Sequence, residues 1–74
     1  MKGLSFNEQK EYNRLEKEIA QLEEKKTAIE ATFAEGSLSS NEIQEQSVAL
    51  QETLTAIDEK TERWFELTEK LEEH

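Results

Sequence analysis

The stretch FAEGSLSSNEI, Phe33 to Ile43, is where the small and turn-forming residues of this chain gather, and its reading decides the fold. Gly36 stands where a helix C-terminus wants a residue free to adopt a positive φ. Ser39 followed by Glu42 fits the box in which a hydroxyl and a carboxylate satisfy the free N–H groups of a new helix, and Leu38 with Ile43 is placed to form the accompanying hydrophobic staple. A second box, Ser5 with Glu8, opens the preceding segment. The stretch therefore reads as stop, turn and start. The competing shape is one long helix dimerising in parallel, since the heptad phase runs unbroken across the turn, but cap boxes and a glycine make a poor helix interior.

On either side of the turn the apolar residues recur three and four apart. Before it they are Tyr12, Leu15, Ile19, Leu22, Ile29 and Phe33, interrupted at Lys26. After it they are Ile43, Leu50, Leu54, Ile57, Trp64 and Leu71, with Ser47, Thr61 and Thr68 in the weaker positions of a thinner seam. In an antiparallel pair the residue numbers of facing positions share one total, and here that total is 76, centred on Leu38 inside the turn. It pairs Phe33 with Ile43, Ile29 with Ser47, Lys26 with Leu50, Leu22 with Leu54, Ile19 with Ile57, Leu15 with Thr61 and Tyr12 with Trp64. A shift of one heptad moves the centre to about residue 34 or 41, into helical-looking sequence. The expected fold is all-α: one coiled-coil domain over residues 1–74, an antiparallel two-helix hairpin with helices of about 6–35 and 40–73 and a turn of about 36–39. Each arm would be about 45 to 50 Å long. Glu18 should lie near Lys60, whereas Glu16 falls near Asp58, an unfavourable neighbour.

Composition agrees with a seam rather than an enclosed core. The chain has 74 residues, 34% hydrophobic and 36% charged, with no proline, two glycines and no cysteine. That is the makeup of long helices, too small and polar for an enclosed pocket. Without cysteine there is no disulfide, thiolate nucleophile or Cys-type zinc site. No run of about 18 apolar residues is present, and the first residues lack the apolar stretch of a signal peptide, so a soluble cytoplasmic chain is expected. No Gly-rich phosphate loop, nucleophile elbow or metal-ligand spacing occurs, the carboxylates read as a solvated face, and His74 at the chain end reads as an incidental residue, not a metal ligand. No catalytic activity and no cofactor are expected within these residues.

Two features point toward partners. Phe6, Tyr12, Trp64 and Phe65 fall at the open end of the hairpin, where they can close the fork or dock on a neighbouring domain, with the outer face of Phe65 the favoured docking contact. Lys10, Arg14 and Lys17 recur at i, i+4 and i+7 on the outer face of the first helix, with Lys25 and Lys26 further along. Such a stripe can track phosphates, yet glutamates are interleaved with it, and the net charge of −9 opposes generic phosphate binding. An ordinary solvated helix face is the preferred reading of the stripe. Lys26, at a seam position, is expected to snorkel and set register.

The opening LSFNEQKEYNRLEKEIAQLE (4–23) and the later ERWFELTEKLEE (62–73) resemble the C-terminal domain of the Uup-like branch of the ABC-F ATPases, over almost the whole chain. The resemblance rests on the Leu-Ser-aromatic step and the Glu-rich segment after it (Leu4, Ser5, Phe6, Glu8, Lys10, Glu11, Tyr12), and on the Trp-x-Glu-Leu signature (Trp64, Glu66, Leu67). It implies a cytoplasmic parent with two tandem ATP-binding cassettes, no membrane spans and a link to ribosomes and translation, with ATP and Mg bound in cassettes that these residues do not contain. This chain would be its antiparallel coiled-coil tail, monomeric by itself. Its implied partners are the parent's cassettes and, because tails of this family have been regarded as DNA-binding modules, DNA or ribosomal RNA, with Lys10, Arg14, Lys17 and Lys25 as the candidates for contact. The alternative is a protein-interaction or spacer arm without nucleic-acid binding.

Overall fold

The structure, a computed structural model, describes residues 3–72, so the readings of His74 and of a helix reaching residue 73 lie outside the described residues. Two helices, α1 (Phe6–Glu35) and α2 (Ser40–Glu72), pack against each other as a hairpin of 56 × 17 × 14 Å. The parallel long-helix shape is thereby replaced by a fold-back within one molecule.

Both cap boxes are formed. The Glu8 N–H donates to Ser5 Oγ at 3.2 Å while the Ser5 N–H donates to Glu8 Oε1 at 3.1 Å. At the turn the Glu42 N–H donates to Ser39 Oγ at 3.2 Å and the Ser39 N–H to Glu42 Oε1 at 2.9 Å. Each box covers N–H groups that have no partner within the helix. α1 ends on Gly36 in the left-handed region, φ 72° and ψ 15°, whose N–H donates to the Phe33 carbonyl at 3.1 Å. An L side chain is strained in that conformation, and glycine is not.

The register follows the total of 76: the rings of Tyr12 and Trp64 stack with centroids 6.0 Å apart and planes at 14°, and Lys60 Nζ lies 3.0 Å from Glu18 Oε1. On α1 the observed seam is the one read from the sequence. Leu15 and Ile29 are buried, Tyr12, Ile19, Leu22 and Phe33 are half-buried, and Lys26 is half-buried with its ammonium 3.5 Å from Glu23.

On α2 the seam is corrected. Leu50, Ile57, Trp64 and Leu71 face inward, but the alternate positions are Thr53 and Leu67, both buried, and half-buried Lys60, each one residue before the expected Leu54, Thr68 and Thr61. Leu54 is 42% exposed and Ile43 45%, and Ser47 is exposed as well. The exchange neither gains nor loses a leucine, since Leu67 enters as Leu54 leaves. Two features select the observed rotation. It carries Lys60, Arg63 and Lys70 to the flank where α1 presents Glu18, Glu11 and Glu8. It also costs little polar burial, because the Thr53 hydroxyl donates to the Ala49 carbonyl of its own helix at 2.7 Å.

Candidate functional site

At the open end the four aromatic residues divide into two pairs. Tyr12 and Trp64 are half-buried in the stack between the arms. Phe65 meets the Trp64 ring edge-on, with centroids 5.4 Å apart and planes at 65°, and remains 57% exposed. Phe6, in the first turn of α1, is 78% exposed and carries Lys10 Nζ 5.3 Å from its ring centroid. The indole Nε1 of Trp64 is buried and finds no hydrogen-bond partner among the described residues.

One flank of the hairpin is a ladder of ion pairs between the arms. Arg63 grips Glu11 with two parallel bonds of 2.9 Å, from Nε to Oε2 and from Nη2 to Oε1, and Nη1 reaches Glu66 at 2.9 Å. Lys60 holds Glu18, and Lys70 holds Glu8. Two of these carboxylates are lowered from their ordinary value: Glu8 chiefly through Lys70 and then the Ser5 N–H, and Glu11 chiefly through Arg63. Glu42 is lowered chiefly by the Ser39 N–H, and Arg63 is raised by Glu11 and then Glu66. The residue numbers of Glu11–Arg63 and Glu8–Lys70 total 74 and 78, either side of the seam total, so the register contains the signal for both pairs.

Lys10, Arg14, Lys17 and Lys25 are all exposed on α1. Arg14 Nε stands 4.0 Å from Glu18, and Lys10 lies over Phe6, so two of the four are partly engaged locally. All three bases of α2 are committed to α1 carboxylates, and the hairpin therefore brings no second row of cations alongside the α1 stripe.

The opposite flank holds an open groove of about 400 Å³ lined by Glu16, Ile19, Ala20, Glu23, Thr61 and Trp64. The sequence reading did not anticipate it, because it depends on which way α2 is rotated. Among the described residues no cluster of His, Cys, Asp or Glu is arranged to hold a metal ion, and no helix is long and apolar enough to cross a membrane.

The family profile described as "ABC transporter C-terminal domain" matches residues 3–69, which include both cap boxes and the stacked Tyr12–Trp64 pair. The chain belongs to the ABC transporter C-terminal domain family. A curated relative, the ABC transporter ATP-binding protein YfmR of Bacillus subtilis (strain 168), is 36% identical over 72 residues, covering 97% of this chain. The chain spans 11% of that relative's length. No solved structure matches. Both findings agree with the ABC-F resemblance carried by Leu4–Tyr12 and Trp64–Leu67, and the ABC transporter C-terminal domain is here an all-α helical hairpin.

Proposed function

We propose that this chain is a non-catalytic arm of a cytoplasmic ABC-F ATP-binding protein, and that the arm docks on the parent's ATP-binding cassettes through its open-end aromatic face. ATP and Mg belong to those cassettes. The observation that carries the reading is the division of the aromatics: Tyr12 and Trp64 bind the arms to each other, while Phe65 and Phe6, 57% and 78% exposed, are left outward at the same end. Exposed aromatic rings beside a rigid support are a common core of protein interfaces. Rigidity comes from the Tyr12–Trp64 stack beneath Phe65 and from the Arg63–Glu11 pair on the adjacent flank.

Contact with DNA or ribosomal RNA through Lys10, Arg14, Lys17 and Lys25 is the second reading, supported by the exposure of all four. The net charge of −9 and the engagement of every α2 base weigh against it. One experiment separates the two. The 74-residue chain is titrated into the parent's cassettes, and separately into duplex DNA and structured RNA at low and physiological salt. Docking predicts that Phe65→Ala weakens cassette association about tenfold or more, while Arg14→Ala with Lys17→Ala leaves it unchanged. Unaltered association of Phe65→Ala, or salt-dependent nucleic-acid binding lost in the Arg14/Lys17 variant, would reverse the order of the readings.

A further inference from the structure

The flank opposite the ion-pair ladder has properties that the open-end face does not account for. Its groove has a mostly apolar lining from Ile19, Ala20, Trp64 and Thr61, joined by the carboxylate-bearing Glu16 and Glu23. Leu54, Asp58, Thr61 and Phe65 follow one another at four, three and four residues on α2, a single row on one helix face that extends the groove in both directions. Leu54 and Phe65 on this row are 42% and 57% exposed. Of this row, Leu54 is the position expected inward that the rotation of α2 turned outward when Leu67 took the seam, while Asp58 and Phe65 lie outside either seam. It spans about 16 Å, enough for about three turns of a helix laid alongside.

Charge identifies the occupant. Every base of α2 is drawn to the other flank, where Lys60, Arg63 and Lys70 meet Glu18, Glu11 and Glu8. The groove flank keeps Glu16, Glu23 and Asp58, and of these Glu23 has Lys26 at 3.5 Å. An apolar trough between carboxylates repels phosphate. It also disfavours a second copy of a chain with net charge −9, which would bring the same carboxylates to the contact. We infer that this groove is the docking site for a cationic amphipathic helix of a protein partner, its apolar side chains entering beside Ala20 and Trp64 and its Lys or Arg side chains reaching Glu16 and Glu23. These two glutamates lie two turns apart on α1, about 10 Å, so the partner's bases are spaced about seven residues apart around an apolar pair. The inference goes beyond the open-end docking; Trp64 and Phe65 are shared with that face, and Glu16, Ala20 and Glu23 are not, so variants at these three test the groove separately.

Trp64 is the one tryptophan of the chain and lines the groove, which makes its fluorescence a direct reporter. The probes are three peptides of about 18 residues: an amphipathic Leu/Lys helix, its Leu/Glu counterpart, and a Lys/Ser peptide of equal charge without an apolar face. Saturable binding with a change in Trp64 emission is expected for Leu/Lys alone. Glu16→Lys with Glu23→Lys, and separately Ala20→Arg, should each weaken that binding by about tenfold or more while the helical circular dichroism is retained. Equal binding of Lys/Ser would reduce the effect to charge, and binding indifferent to both variants would place it elsewhere; either result overturns the inference. So does self-association in sedimentation abolished by Ala20→Arg, which would assign the groove to a second copy, or binding of duplex DNA or RNA lost in the same variant.

Discussion

Leu67 is fully buried, and no position on α2 is more enclosed. It sits one turn beyond Trp64 and closes the seam beneath the aromatic stack. Leu54, the same side chain on the same helix, is 42% exposed because the seam passes through Thr53 instead. Truncating a buried leucine removes its transfer energy and leaves a cavity, whereas truncating an exposed one removes little. Leu67→Ala should therefore cost about 2 to 5 kcal/mol in urea unfolding, and Leu54→Ala less than about 1. Equal costs would restore the seam in which Leu54 faces inward.

Each helix owes its first turn to a serine and a glutamate, but the two boxes occupy different mechanical positions. Ser5 caps the end of α1 remote from the turn, where loss of the box lets a turn fray. Ser39 caps the start of α2 immediately after the turn, where loss of the box loosens the closure on which all inter-arm packing depends. Ser39→Ala should thus lower global stability by about 1 kcal/mol, and Ser5→Ala by less, with its effect confined to amide exchange of the first turn. Gly36→Ala should cost about 1 to 2 kcal/mol, and for a backbone reason alone, since φ is 72° and an added Cβ would meet nothing within 4 Å. Thermal or urea unfolding of the three variants checks the order. A Ser5→Ala change as costly as Ser39→Ala would contradict it.

As a whole molecule the hairpin separates its charge, with acids of α1 against bases of α2 on one flank and, along the groove, acids of which Glu23 alone has a partner among the described residues, Lys26 of its own helix. The ladder makes stability depend on pH in a definite sense. Glu8 and Glu11 have their carboxyls lowered from the ordinary 4.5 by Lys70 and Arg63, so in the folded state they bind protons less readily than in the unfolded chain. Their stabilisation is fully present above that ordinary value and is lost as pH falls through it toward the lowered one. Acid also relieves the repulsion within a chain of net charge −9, an opposing effect, so the contribution is best isolated by difference. Glu11→Gln should melt below the unsubstituted chain at neutral pH, and the gap should narrow as pH falls below the ordinary 4.5. A gap independent of pH would assign the loss to packing instead.

The hairpin itself was written in local chemistry. Gly36, the Ser39–Glu42 box and the heptads either side require only backbone stereochemistry and helical period, and together they determine the turn, the register through Tyr12 and Trp64, and the α1 seam. Exposure of Lys10, Arg14, Lys17 and Lys25 also follows from period alone. The rotation of α2 about its axis does not, because Thr53, Lys60 and Leu67 offer nearly the same apolar content as Leu54, Thr61 and Thr68, and the sequence by itself leaves those two faces almost degenerate. Tertiary structure broke the tie by bringing Glu8, Glu11 and Glu18 opposite Lys70, Arg63 and Lys60, an interaction that exists only once the arms are side by side. The same rotation decided that Leu54 points outward and opened the groove beside Trp64. That surface is a property of two helices together, which no periodicity within either one encodes.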